Sequence, residues 1–488
     1  MSNKLCVLAS VLLVLASAAF AGCTATTGSA PAGVNSPVAN NRQEGNIPQT
    51  EMPPGGSPPT GSPPEGMPPG GSGSGGQTGG TGPGSSSGSS TYTFSGVYTL
   101  NGGTATEINK QITSDTTDVS GVYVTNGGTL TLVNPAITTS GDTSSNDASS
   151  FYGLNGAVLA TGGSRVTITG GTISTSGTGA NGAIPTGSGT TITLTDVTIR
   201  ATGNGGHGVM ATQGGTLVLD NVNIATTGAN GAPLATDRGS GIVTVTGGTI
   251  TSNGRDSPGI YSTGNITVNG ATITSTGTEA AVIEGSNSIT LTDTVISGGV
   301  EKTGGVMIYQ SFSGDAETGR GTFTMTGGSL AATGGPVFFV TNTEATIKLT
   351  GVHVTSVSDT LVKAAGTDRW GTSGKNGGTV NLIADGETLS GSLIADNISS
   401  ISATLKNGST LTGVISSAAL NLDATSRWIV TGNSVLSGLD DAAGISGTAI
   451  TNIEGNGYTV TYDASLTANR ALGGKTYTLA NGGTLAPA

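Results

Sequence analysis

Cysteine is nearly absent from this chain: there are two, Cys6 and Cys23, and none beyond residue 23. That excludes an internal disulfide, and a cysteine-built zinc site, in everything that follows. Histidine is equally scarce, with only His207 and His353, so no histidine-rich metal centre is available. Charged residues are 9% of the chain, and 17 Lys and Arg against 29 Asp and Glu leave a net charge of −12. Nucleic acid is thereby excluded as a partner, because phosphate binding needs a basic stripe. Aromatics are only 4% of 488 residues, too few large side chains for the thick cores of several compact domains. What the chain has instead is glycine, 85 of them, with abundant Thr and Ser.

Those residues fall into a repeat. Nine stretches between Thr129 and Val354 share one pattern: apolar, outward residue, apolar, polar, turn residue, two more, then an aliphatic. Leu130/Leu132/Asn134/Ile137 is the first and Val166/Ile168/Gly170/Ile173 the second. Then come Ile192/Leu194/Asp196/Ile199, Leu217/Leu219/Asn221/Ile224 and Val243/Val245/Gly247/Ile250. Ile266/Val268/Gly270/Ile273, Ile289/Leu291/Asp293/Ile296, Phe323/Met325/Gly327/Leu330 and Ile347/Leu349/Gly351/Val354 complete the set. The turn position holds only Gly, Asn or Asp, the residues that enter the left-handed region at low cost. Two alternating apolar residues make a short strand with one inward face, and the aliphatic after the corner starts another. A third apolar patch precedes many repeats, as in Ala157-Val158-Leu159, Ile260-Tyr261 and Val337-Phe338-Phe339. Three strands per repeat of about two dozen residues define one coil of a parallel β-helix. Longer gaps from Ile137 to Ile173 and from Ile296 to Leu330 read as loops inserted between coils.

The amino terminus reads as an export signal: Lys4, then an apolar run from Leu5 to Phe20, then small residues. Phe20-Ala21-Gly22-Cys23 resembles the lipobox of bacterial lipoproteins, with Phe20 where Leu is usual. The resemblance implies a signal peptide over 1–22, lipid on Cys23 as the first mature residue, and attachment to a membrane. Thr24 after it fits an outer-membrane or cell-surface location. Residues 23–91 are rich in Pro, Gly and Ser and too poor in apolar residues to order, so they form a disordered tether. The β-helix with its terminal caps occupies 92–488, with regular coils over about 121–358 and shorter coils and a cap over 376–488.

The repeats resemble the passenger regions of autotransporter adhesins and other pectin-lyase-like surface proteins. Leu405-Lys406-Asn407-Gly408-Ser409-Thr410-Leu411-Thr412-Gly413 and Ala471-Leu472-Gly473-Gly474-Lys475-Thr476-Tyr477 resemble segments of bacterial adhesin-like β-helix proteins. The likeness implies an all-β fold, a right-handed parallel β-helix with three strands per coil, exposed on a bacterial surface. The C-terminal Gly483-Thr484-Leu485-Ala486-Pro487-Ala488 does not resemble the membrane barrel of an autotransporter, which leaves export to the signal and attachment to Cys23.

Enzymes are common on this architecture, so the residues must decide. Gly206-His207-Gly208 resembles a fragment of the polygalacturonase histidine motif, but no paired aspartates precede it, and His207 reads as a turn residue. Asp440-Asp441 lies far away in the tapering region. Asp196, Asp220 and Asp293 stand at or beside corners, where backbone reasons account for them. Asp237-Arg238 and Arg255-Asp256, about one coil apart, suggest a ladder of surface ion pairs or a small polar site, with the structural ladder the default. No catalytic residue, metal ligand or cofactor is expected. Two insertions, 297–320 and 358–377, concentrate aromatic and charged side chains. Tyr309, Phe312, Asp368, Arg369 and Trp370 are the candidate binding residues there, and their rings either hold sugars or pin the loops to the rod. The outward column Thr131, Thr167, Thr193, Val218, Thr244, Thr267, Thr290, Thr324, Lys348 raises ice binding as a minor reading, one outward Thr per strand being a thin surface. The leading expectation is a lipid-anchored, non-catalytic surface protein contacting extracellular matrix, glycans or surface proteins. A polysaccharide lyase or hydrolase is the alternative, and a passive envelope spacer the second.

Overall fold

A strand such as Thr191–Thr195 shows how the repeat becomes structure. Ile192 and Leu194 point inward and are fully buried, while the threonines between and beside them face out. Burying each such aliphatic contributes about 1.5–3 kcal/mol, and the strand spends no polar side chain on the core. Asp196 then adopts φ +57°, and the chain turns into the strand Thr198–Ala201. The computed structural model describes residues 92–488, and this unit recurs along them.

All nine corner residues sit in the left-handed region, with φ from +46° at Asp293 to +67° at Gly270. Each corner is also a rung. The Asn221 amide donates to the Thr246 carbonyl at 2.8 Å, and the Gly247 amide to the Asn269 carbonyl at 2.8 Å. The same corner continues beyond the nine repeats, at Asn109 (φ +53°), Gly386 (φ +67°) and Asn407 (φ +56°).

Three parallel sheets result. In the first, thirteen strands from Thr104–Ile108 to Ile415–Leu422 pair in succession. At the usual strand separation they span roughly 58 Å. The second has ten strands, and its inward column is Ile112, Ile137, Ile173, Ile199, Ile224, Ile250, Ile273, Ile296, Leu330, Val354. The third is built from short strands such as Val158–Ala160, Ile260–Ser262 and Val306–Tyr309. Its inward side chains join the main core, while its outward ones form a second apolar cluster under the loops.

The sequence expectation of one outward Thr per first-sheet strand is corrected. These strands are five or more residues long, so the positions before, between and after the apolar pair all face out, as Thr191, Thr193 and Thr195 or Thr322, Thr324 and Thr326 do. The gap between Ile137 and Ile173 contains a helix, Asn146–Tyr152, rather than only loop. Ser145 caps it, accepting from the Ala148 amide at 3.2 Å, and Gly153 ends it at φ +83°. Past Ser356 the coils shorten. Trp428 fills the narrowing core and donates from Nε1 to the Gly413 carbonyl at 2.9 Å. The 3-10 helix Thr467–Leu472 and the antiparallel pair Tyr477–Ala480 and Thr484–Pro487 close the end. The expected signal peptide, Cys23 and the tether lie outside the described residues.

Candidate functional site

The outward face of the third sheet is where polar chemistry is concentrated. Its middle column runs Leu159, Ile184, Met210, Ala235, Tyr261, Val282, Met307, Phe339, buried under loops and the helix Asn146–Tyr152. Two positions on, the outward side chain stands at the edge of the sheet. Thr212 and Thr263 occupy that edge in two coils, Asp237, Glu284 and Tyr309 in others.

Glu284 is 1% exposed and accepts five hydrogen bonds. Its Oε2 takes the hydroxyls of Tyr261 at 2.7 Å and Tyr309 at 2.9 Å, from the coils on either side. Its Oε1 takes the Ser311 amide at 3.3 Å, the Ser311 hydroxyl and the Ser313 hydroxyl at 3.2 Å. A buried carboxylate is tolerated when paired or hydrogen-bonded, and this one is saturated. Burial, and after it the Glu284 charge, raises both tyrosine hydroxyls well above their ordinary pKa. Glu279, fully buried, accepts from the hydroxyls of Thr278 and Thr303; burial raises its pKa and those bonds oppose the rise.

Next along the face, Asp237 is buried and accepts from the Arg238 amide at 2.7 Å. Burial, with the nearby Asp315 carboxylate second, pushes its pKa up to about 8. Arg238 reaches Asp315 at 3.0 Å and lies 3.8 Å from the Phe151 ring centroid. Arg255 pairs with the buried Asp256 at 2.8 Å. The expected ladder of two surface pairs is therefore corrected. Both aspartates are inside, and Arg238 serves the distant loop rather than its neighbour.

The five candidate binding residues separate. Tyr309 is not a loop residue: it ends the strand Val306–Tyr309, is 1% exposed, and packs at a tilt against Trp370 with ring centroids 5.0 Å apart. Trp370 is 8% exposed, so its ring serves packing. Asn376 ties its loop through bonds to the Thr367 and Trp370 carbonyls. Arg369 lies over the Trp370 ring at 4.6 Å, and partial burial lowers its pKa. Asp368 is exposed beside it. Phe312 alone among the candidate rings is bare, at 76% exposed.

The residues weighed for catalysis have structural partners. His207 is buried, its amide donating to Asn181 Oδ1 at 2.7 Å and its Nδ1 lying 3.2 Å from the Ala232 carbonyl. Burial lowers its pKa to about 4, leaving a neutral ring that holds two coils together. Asp196 accepts from the Asn221 side chain at 2.6 Å, within the corner column. Asp441 accepts from Asn452 at 2.8 Å and the Gly444 amide at 3.0 Å. Among the described residues no group of three His, Cys, Asp or Glu side chains is arranged to hold a metal.

Sequence reasoning missed Glu284 and Glu279. For Glu284 the available signal was a carboxylate directly after Ala281-Val282-Ile283, where the preceding coil carries Thr263 and the following one Tyr309, with Tyr261 two residues before Thr263.

Residues 181–349 match the family model described as a right handed beta helix region. The described chain is an all-β, right-handed parallel β-helix with three strands per coil. No curated protein and no solved structure matches it.

Proposed function

We propose that this is an exported, lipid-anchored β-helical surface protein, adhesin-like and non-catalytic, that contacts glycans or other extracellular surfaces. One observation carries the reading: the most deeply buried acids on the third-sheet face are spent on the fold. Both oxygens of Glu284 are occupied by tyrosine and serine donors, and Glu279 is held between two threonine hydroxyls. A general acid or base must reach a substrate proton, and carboxylates engaged in this way are structural ties. The test is a glycan and matrix-protein array probed with the full-length lipoprotein in detergent. Saturable binding is expected, and no binding to any glycan, matrix or cell surface would leave the spacer reading in its place.

A second reading, a polysaccharide lyase or hydrolase, is favoured by Asp237. Its carboxyl stays protonated up to about pH 8 beside the Arg238–Asp315 pair, as a general acid requires. Release of reducing ends or unsaturated sugars from a polysaccharide panel, abolished by Asp237→Asn, would establish it over the non-catalytic reading.

A further inference from the structure

Resting on the glycan-contact reading, we infer that the loop 310–319 is a preorganised sugar-binding element. Phe312 is its stacking platform, and its ligand is a neutral glycan with an apolar pyranose face.

The loop is fastened at nearly every residue except that ring. Ser311 and Ser313, on either side of Phe312, are both clamped to Glu284 Oε1. The Gln310 carbonyl accepts from Asn342 at 2.8 Å, and the Gln310 side chain donates to the Ser311 carbonyl at 3.2 Å. Asp315 is held by Arg238 at 3.0 Å, and the Glu317 carbonyl accepts from the Ser286 amide at 2.9 Å. Ordering these residues costs conformational entropy, and the outcome is a loop held on both sides of a phenyl ring that stands in water rather than buried. A binder with its contact residue already fixed avoids that cost on association.

Unmet hydrogen-bonding capacity lies at the same place. Gln310 is 7% exposed and its Oε1 has no donor, while Nε of Arg238, the residue that holds Asp315, has no acceptor. Both atoms are shut off from solvent beneath the loop, so contact with a sugar rests on the exposed ring and the polar side chains around it. From 310 to 319 Phe312 is the one exposed large apolar side chain, in the company of Ser311, Ser313, Gly314 and Asp315. A stable protein interface needs about 1,000 Å² with an apolar centre, whereas a single sugar ring needs one aromatic face and a polar rim. The charge sets the class further. The Arg238 guanidinium is already paired with Asp315, and the chain carries −12 overall, so uronates and sialylated glycans meet repulsion.

The experiment is titration of full-length protein with neutral β-glucan, xylan and galactan oligosaccharides, and with oligogalacturonate, by calorimetry. Wild type is expected to bind at least one neutral series. Phe312→Ala should weaken that binding tenfold or more with an unchanged melting temperature, and Phe312→Trp should retain it. Glu284→Gln, acting through the clamp, should weaken binding several-fold and speed hydrogen exchange across 311–315, which Phe312→Ala should leave slow. Equal binding by Phe312→Ala and wild type overturns the loop assignment while the glycan reading stands. Preference for oligogalacturonate overturns the neutral class, and no binding by wild type to any glycan overturns both readings.

Discussion

Asn221 lies one coil beyond Asp196 at the same corner, and its side-chain amide donates to the Asp196 carboxylate at 2.6 Å. Both residues have positive φ, +51° and +57°, so each supplies a left-handed bend and a rung of a side-chain ladder at once. Asn134 and Asn109 repeat the arrangement at 2.8 Å nearer the amino end.

Replacing Asn221 with valine should therefore remove the rung and force a β-branched residue into the left-handed region. The expected loss is about 1–2 kcal/mol from the backbone alone. Asn221→Gly, which keeps the bend and loses only the rung, should cost less. Urea midpoints of the two variants check the order.

In the core, Phe323 and Phe338 meet edge to face at 5.4 Å, both fully buried. Phe323→Ala should cost about 3–5 kcal/mol. Because a coil rests only on its neighbours, the damage should stay local, seen as new protease cleavage between 310 and 345 before cleavage elsewhere.

Glu284→Ala leaves the Tyr261 and Tyr309 hydroxyls without their acceptor in a buried site. Each unsatisfied donor costs about 1–3 kcal/mol. The melting temperature should fall, and the 311–318 loop should become protease-sensitive. The Tyr261→Phe/Tyr309→Phe/Glu284→Gln triple variant should recover part of the loss, since the unmatched hydroxyls are gone.

The buried Asp237 makes stability depend on pH. Its folded pKa, about 8, lies above the unfolded value near 3.8, so between those limits the folded state holds the extra proton. Stability should fall as pH rises through this window, by up to about 1.4 kcal/mol per unit, and level off above pH 8. Asp315, Arg238 and Glu284 are the charged groups that act on it. Asp237→Asn should flatten the slope, which denaturation midpoints at pH 5, 7 and 9 would reveal, and an unchanged slope would refute the assignment.

The elements legible in the sequence are those that every coil repeats. The isoleucine column of the second sheet and the Gly, Asn or Asp corners could be aligned because nine copies reinforce one another. Glu284 occurs once, within an apolar run, and its partners Tyr261, Tyr309 and Ser311 come from three separate segments that only the coil register brings together. Tyr309 reads as a loop residue in the sequence because the gap from Ile296 to Leu330 hides a third-sheet strand between two irregular segments. The outward Thr positions at the strand ends are not legible in the sequence because strand length, unlike the apolar pair inside it, is not marked by a side-chain pattern.

The ladder bonds run between adjacent coils, and this decides how the molecule answers a pull. Tension entering at Tyr92 would load the outermost coil first and open its bonds one after another, as in peeling, rather than many together. Equivalent corners are 25 residues apart at Asp196 and Asn221, so each coil released there pays out a length of extended chain near ~85 Å. A surface contact made at the loop around Phe312 would then yield by lengthening, coil by coil, before the contact itself had to break.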